Sequence, residues 1–131
     1  MKIRRIIFLL LFCLYIAAVA YLCFGRPDDI PTLPESWFGL PADKVAHYLM
    51  FLPFIFLGFL TFEGTDRCVW KTAILLLALT GLGFAAAVGT EFAQAHLGYR
   101  SKDALDLIAD SMGLLSGGIL TVIYIFIKNR K

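Results

Sequence analysis

Apolar residues occur in four long runs that are separated by short polar segments. Residues 6–25, 72–90 and 111–127 contain no charged side chain, and residues 45–62 are interrupted only by His47. Each run has about 17–20 residues, which is roughly the length of a helix that crosses a ~30 Å hydrocarbon layer. Because helices satisfy their own backbone polar groups in lipid, the pattern predicts an all-α, polytopic integral membrane protein with four transmembrane helices.

The connections between the runs set the helix boundaries. Four prolines between residues 25 and 42 exclude a continuous helix there, and Trp37 and Phe38 favour a loop at the membrane interface. Pro53 lies inside the second apolar run and predicts a kink. The predicted helices cover about 3–24, 44–62, 72–95 and 102–127, within a single domain of residues 1–131.

The charged residues predict the orientation of the bundle. Eight of the 12 basic residues lie on the side that carries both termini, and the positive-inside rule places that side in the cytoplasm. All acids except Glu63 and Asp66 belong to the opposite half. The apolar run at residues 6–25 continues past the small residues 18–20, so a retained first helix is favoured over a cleaved signal peptide. The net charge of +2 gives no indication of a nucleic-acid partner, and the three cysteines predict no disulfide.

Small residues predict where the helices pack closely. Gly81, Ala85, Gly89 and Ala93 recur every four residues on the third helix. Gly113 and Gly117 do the same on the fourth helix. Such ridges let helix backbones approach one another, so both are expected to face neighbouring helices.

Polar side chains gather at the outer ends of three helices, and no comparable group is expected at the cytoplasmic ends. Asp106, Asp110 and Gly113 share one face of the fourth helix. Glu91 shares a face of the third helix with Gln94, as Asp43 does with His47 on the second. An ionisable group below a membrane surface is costly unless it is paired or hydrated, which makes these residues functional candidates.

Several of these residues also have a purely structural interpretation. Asp43 and Asp103 lie in first helical turns, where an acid caps free N–H groups and compensates the helix dipole. Lys102 is expected to extend to the interface. Arg100 could act only as an interfacial anchor, and His47 could bond a backbone carbonyl. Such explanations fit Glu91 and Asp110 least well.

Three motifs together resemble the VanZ-like membrane proteins. They are DKVAHYLMF at residues 43–51, EFAQ at residues 91–94 and YRSKDALDLIADSMGLLSG at residues 99–117. The positions that match the family pattern are Asp43, Lys44, His47, Glu91, Gln94, Arg100, Asp106 and Gly113. Asp110 departs from it, because relatives usually have Asn there. This second acid one turn from Asp106 is predicted to share a proton or a cation with it.

The resemblance implies a cell-envelope protein of the bacterial cytoplasmic (inner) membrane, with a role in resistance to the glycopeptide teicoplanin. We predict a polar pocket at the outer face that binds an anionic or lipid-linked envelope ligand. The predicted ligand-binding residues are Asp43, Lys44, His47, Glu91, Gln94, Arg100, Asp106 and Asp110. The expected partners are membrane lipids and a lipid-linked cell-wall intermediate or glycopeptide antibiotic. No cofactor, metal site or nucleic-acid partner is assigned.

Two other functions are compatible with the same residues. In a metal-assisted intramembrane phosphotransferase or hydrolase acting on a lipid phosphate, Asp106, Asp110 and Glu91 would hold Mg²⁺ or another divalent ion, and His47 would be the acid–base group. No catalytic residue is assigned on this basis. In a proton- or ion-coupled transporter the buried acids would carry the ion, but the polar groups lie near one face and not at the midplane.

Overall fold

The structure is a computed structural model that describes residues 2–24, 36–63, 68–98 and 104–130. Its elements are α1 (Lys2–Phe24), β1 (Ser36–Trp37), β2 (Leu40–Pro41), α2 (Ala42–Phe51), α3 (Phe54–Phe62), α4 (Val69–Leu97) and α5 (Ala104–Arg130). Within these ranges, four helical stretches are long and apolar enough to cross a membrane: α1, α2 with α3, α4, and α5. The predicted helical class and its four apolar helices are therefore confirmed.

Large apolar side chains cover the outside of the bundle, and the interior combines an apolar core around Phe54, Ile55 and Leu114 with several buried polar side chains. Large hydrophobic residues such as Leu14, Leu77 and Leu115 are exposed on the outer faces of the helices. The buried polar or charged residues of the described segments are His47, Thr61, Glu91, Gln94, Asp106, Asp110 and Thr121. Water-soluble monomers rarely expose apolar surface on this scale, so the distribution is typical of helices that face lipid.

The second apolar run is divided at Pro53, as its position predicted. Leu52 and Pro53 form a turn between α2 and α3. Backbone hydrogen bonds bridge the break, from Leu52 N to the Tyr48 carbonyl at 3.0 Å and from Leu57 N to the Pro53 carbonyl at 2.9 Å. Because proline has no N–H to donate, the helix is interrupted here, although its two segments remain joined.

The fourth-helix glycines allow α5 to lie directly on α2, which confirms their predicted packing role. A Cβ at Gly113 would collide with the Tyr48 carbonyl, and a Cβ at Gly117 would collide with the Leu52 carbonyl. Both obstacles are backbone atoms, which have no rotamer that would relieve the collision. The distance between α2 and α5 is therefore fixed by the absence of side chains at these two positions.

The prediction that the ridge of Gly81, Ala85, Gly89 and Ala93 packs against neighbouring helices is wrong. A Cβ added to Gly81 or Gly89 would meet no neighbouring atom of the described residues within 4 Å. The buried face of α4 is two residues out of step with that ridge and consists of Leu79, Gly83, Ala87, Glu91 and Gln94. This second face also contains small residues at a spacing of four, so spacing alone could not distinguish it from the Gly81 face.

A short antiparallel hairpin precedes α2 and was not predicted. Ser36 pairs with Pro41, and Trp37 pairs with Leu40. The turn residues Phe38 and Gly39 both have positive φ, 54° and 77°, as two-residue hairpin loops require. The hairpin leads directly into α2 and displays a fully exposed Phe38 at its tip. The rest of the predicted interfacial loop, residues 25–35, lies outside the described residues.

The bundle has two ends with different partners. At the first, here called the His47 end, the N-termini of α2 and α5 meet the C-terminal part of α4. At the second, called the Glu63 end, the C-termini of α3 and α5 meet the start of α1. Between the ends, α1 packs on α3, where the centroids of the Phe12 and Phe54 rings are 5.7 Å apart. The Tyr15 hydroxyl also donates a hydrogen bond to the Met50 carbonyl.

Candidate functional site

A buried ionisable cluster occupies the His47 end. We call it the His47 centre and define it by Lys44, His47, Glu91, Asp106 and Asp110. α2 supplies the lysine and the histidine, α4 supplies the glutamate, and α5 supplies both aspartates. A spacing of three residues places the two α2 side chains on one face, and a spacing of four does the same for the two α5 side chains. Three helices separated in sequence therefore bring their polar faces to one point.

His47 and Asp110 form the deepest pair of the centre. His47 Nδ1 and Asp110 Oδ1 are 2.8 Å apart, and the two side chains are 2% and 0% exposed. An ionised Asp110 accepts a hydrogen bond from Nδ1–H, which leaves His47 Nε2 as the nitrogen with an available lone pair. Nε2 lies 3.5 Å from Asp106 Oδ2. The suggestion that His47 bonds a backbone carbonyl is therefore wrong for Nδ1, whose partner is a carboxylate.

Lys44 forms the outer part of the centre. Its ammonium group donates hydrogen bonds to Asp106 Oδ1 and, at 2.9 Å, to Asp43 Oδ2. The Lys44 side chain is 19% exposed and that of Asp43 is 54% exposed. A continuous series of polar contacts thus runs from exposed Asp43, through Lys44 and Asp106, to the buried histidine.

The two polar residues of α4 have different roles in the fold. Glu91 is 4% exposed, and one of its carboxylate oxygens belongs to a group of ligand atoms from His47, Glu91 and Asp106 that all lie within 4.8 Å of one another. Gln94 is also buried, but its amide donates a 3.0 Å hydrogen bond to the Cys23 carbonyl. Gln94 therefore fastens the C-terminal end of α1 to α4.

Helix dipoles favour negative charge at this position. Asp43 lies in the first turn of α2 and Asp106 in the first turn of α5, where the partial positive charge of a helix N-terminus stabilises a carboxylate. The residue that precedes α2, Pro41, makes no side-chain cap bond, and the Asp43 carboxylate contacts the Lys44 ammonium. Asp110 lies one turn further along α5 and its contact is with His47.

Most of the residues predicted from the sequence thus meet at one place. Asp43, Lys44, His47, Glu91, Asp106 and Asp110 are brought together, and Gln94 lies one turn from Glu91 on the same buried face. Arg100, Lys102 and Asp103 lie outside the described residues. Asp110 was expected to share a proton or cation with Asp106. In the structure, the Asp110 carboxylate contacts Nδ1 of His47. Asp106 instead contacts Lys44 and lies near Nε2 of His47.

The other end carries a smaller and more exposed ionic cluster, which was not predicted. Glu63 contacts Arg4 Nη2 at 2.9 Å and Lys128 Nζ at 2.9 Å, and its backbone carbonyl accepts a hydrogen bond from Arg5. These residues are separated by about sixty positions in the chain, so no local spacing indicated the contact. The signal that could have indicated it was an acid directly after an apolar run, on the side rich in lysine and arginine.

The fold and the site define a class: a bundle of four membrane-length helices with an ionisable centre buried at one end. No family model matches the chain, and no solved structure gives a significant match. The chain is similar to "Uncharacterized protein C11E3.10" of Schizosaccharomyces pombe, with 28% identity over 116 residues.

The matched region covers 88% of this chain and 63% of that relative, so the chain spans less than two thirds of the relative's length. The similarity therefore extends over most of the bundle. The name of the relative gives no activity, and the relative is a fungal protein. The VanZ resemblance, the bacterial origin and the link to glycopeptides accordingly stay predictions.

Proposed function

We propose that this protein binds the anionic head group of a lipid-linked envelope ligand in a polar pocket between α2, α4 and α5. One observation carries the proposal: the contacts from Asp43 through Lys44 and Asp106 to His47 connect an exposed residue to a buried centre in a bundle of membrane-length helices. Burying charged groups at such a site is costly, and a bundle held together by apolar packing alone would not need them.

Lys44 is the proposed contact for the anion. Its ammonium is held by Asp43 and Asp106 but stays partly exposed, so a phosphate oxygen can replace the exposed Asp43 carboxylate. A charge-assisted hydrogen bond of this kind is roughly twice as strong as a neutral one. Arg100, in the connection before α5, is the proposed second cation, because a guanidinium binds phosphate through two parallel hydrogen bonds. Glu91 and Asp106 would accept hydrogen bonds from hydroxyl or amine groups of the ligand.

The proposed location has the His47 end at the outer face of the bacterial inner membrane and both termini in the cytoplasm. The Glu63 end supports this orientation, since it gathers Arg4, Arg5 and Lys128 around Glu63, and the basic side of a membrane protein is normally cytoplasmic. The VanZ-like motifs support a lipid-linked cell-wall intermediate or a glycopeptide such as teicoplanin as the ligand.

Native mass spectrometry of the detergent-purified protein tests this function. The ligands are phosphorylated isoprenoid lipids and teicoplanin, and the variants are Lys44→Ala and Arg100→Ala. Lys128→Ala is the matched control, because it removes the same ion type from the Glu63 end. We expect adducts with the wild type and the control, and at least a tenfold loss in the other two variants. Equal adducts in all four proteins would contradict the proposal.

A second candidate is a metal-assisted intramembrane phosphotransferase or hydrolase acting on a lipid phosphate. The specific observation is the His47–Asp110 pair, in which a carboxylate orients a buried imidazole as in acid–base sites. Release of phosphate from an isoprenoid phosphate should then be lost with EDTA and, in the same way, with Asp106→Asn. Turnover that neither treatment changes would remove this candidate.

A further inference from the structure

The atoms nearest the middle of the His47 centre are donors that divalent metals use. His47, Glu91 and Asp106 each direct one ligand atom into a group whose members all lie within 4.8 Å of one another. All three residues are buried, and they come from three different helices. Two donors that are each about 2.0–2.2 Å from the same ion can be at most about 4.4 Å apart, so atoms at the 4.8 Å limit of this group would have to move closer by at least a few tenths of an ångström to bind one ion.

His47 supplies an observation that is independent of the acids. Its side chain is 2% exposed, yet Nε2 makes no hydrogen bond within the described residues. A buried nitrogen of this kind carries a free-energy penalty unless it has a partner. Nε2 is 3.5 Å from Asp106 Oδ2 and is therefore directed into the cluster of carboxylates.

Asp110 prepares His47 for metal binding. Its Oδ1 atom lies 2.8 Å from Nδ1, so the proton of a neutral imidazole is held on Nδ1 and the lone pair is left on Nε2. Metal-bound histidines almost always have such a carboxylate or carbonyl partner on their second nitrogen, which fixes the ring and makes it a better donor. Asp110 is a positioning residue in this arrangement and not a ligand.

We propose that His47 Nε2, Glu91 and Asp106 form a binding site for one divalent transition-metal ion, Zn²⁺ or Mn²⁺. Imidazole nitrogen disfavours Mg²⁺ and Ca²⁺, whereas one nitrogen with two carboxylates suits zinc and manganese. A neutral histidine with two carboxylates also balances a dication in charge. The site thus places no net charge from metal and ligands inside the bundle, where an unbalanced charge is expensive.

Three protein ligands leave at least one coordination position open, as in catalytic and ligand-binding zinc sites. Lys44 contacts the ligand Asp106 from the exposed side of the centre. An oxygen of an anionic head group could therefore complete the coordination while Lys44 holds another oxygen. This last link rests on the proposed function, but the metal site does not, because metal binding is measured without any lipid.

The full-length protein, purified in detergent and stripped of metal, tests the site. Zn²⁺ and Mn²⁺ affinities are measured by titration calorimetry, and bound metal is quantified by elemental analysis. The variants are His47→Ala, Glu91→Gln and Asp106→Asn. His96→Ala is the matched control, since His96 lies exposed in the last turn of α4. We expect one ion per chain in the wild type and control, and at least 100-fold weaker binding in the three variants.

Asp110→Asn separates positioning from ligation. An amide oxygen can still accept the bond from Nδ1–H, so binding should weaken by about 10–100-fold and not disappear, as when the hydrogen-bond partner of a metal-bound histidine is changed. Size-exclusion profiles and circular dichroism identify any variant that fails to fold. Glu91→Gln and Asp106→Asn preserve shape and decide the question if His47→Ala unfolds.

Two results would overturn the site. One is a wild-type protein that binds neither Zn²⁺ nor Mn²⁺ at one ion per chain. The other is equal affinity in His47→Ala and His96→Ala. A wild-type protein that binds the metal but gives no lipid adducts would instead count against the proposed ligand alone.

Discussion

The two ends of the bundle each hold an ionic cluster, but the clusters differ in burial and in sign. At the His47 end, carboxylates outnumber cations among the described residues, and His47 and Asp110 are almost fully buried. At the Glu63 end, Glu63 meets Arg4 and Lys128, whose side chains are 52% and 36% exposed. Similar contact distances thus occur in two very different environments.

The difference shows why contact distance alone does not indicate how much each contact stabilises the protein. Exposed ion pairs exchange their partners with water and usually stabilise a protein by about 1 kcal/mol or less. Buried polar groups have no such exchange, so each missing partner costs about 1–3 kcal/mol. The Glu63 cluster is therefore expected to hold and orient the helix ends, whereas the His47 centre is expected to be sensitive to every change.

The largest loss of unfolding free energy should come from separating α2 and α5, two of the three helices that form the His47 centre. Gly117→Ala places a methyl group against the Leu52 carbonyl of α2. Overpacking typically costs about 1–3 kcal/mol, and we expect about 3 kcal/mol here because a backbone atom has to move. SDS titration of the protein in mild detergent, followed by circular dichroism, measures the change.

Gly118→Ala is the matched control for that variant. Its Cβ would meet only the Ile55 side chain among the described residues, at an ordinary 3.5 Å. We expect little loss of stability or a small gain, because alanine favours helix over glycine by up to about 1 kcal/mol. Equal destabilisation by the two neighbouring substitutions would show that close α2–α5 packing does not decide stability.

An intermediate effect is expected for Asp110→Ala. The change leaves the Nδ1–H group of buried His47 without its acceptor, so we expect a loss of about 2 kcal/mol in the same titration. Asp110→Asn keeps an acceptor oxygen and should recover most of that loss. A wild-type unfolding curve for Asp110→Ala would contradict the importance assigned to this pair.

The smallest effect should come from Glu63→Ala, the matching truncation at the other end. It removes the partner of Arg4 and Lys128, yet both cations can be hydrated, so we expect a loss of under about 1 kcal/mol. The loss should nearly vanish at about 1 M salt, where screening acts over about 3 Å. A loss that equals the Asp110→Ala value and resists salt would remove the contrast between the two ends.

Much of the fold was predictable because long apolar runs can satisfy their backbone polar groups in few ways other than as helices. Four apolar runs of the right length, a proline inside the second and two glycines on the last predicted the helices, the break at Pro53 and the packed face of α5, whereas α2 as its partner emerged only from the structure. The face of α4 was not predictable in this way. Gly81 and Gly83 begin two ridges with the same spacing, and only the structure shows that Phe54 and Leu114 pack against the second.

The sequence predicted which residues form the candidate site, but not which of them contact one another. Helical spacing placed His47, Asp106 and Asp110 near one end, since each occupies a known face and depth. Which carboxylate reaches Nδ1 depends on the rotation and offset of α2 against α5, and sequence periodicity carries no such information. The Glu63 cluster escaped prediction for the same reason, because its members lie on separate elements.

The separation of His47 from Asp110 along the chain has a consequence for biosynthesis. The two residues are 63 positions apart, and Asp110 lies on α5, which leaves the ribosome after α1 to α4. His47 and Glu91 are therefore synthesised before either aspartate of α5 exists. The His47 centre can therefore be completed only once α5 has been synthesised and has packed against the earlier helices.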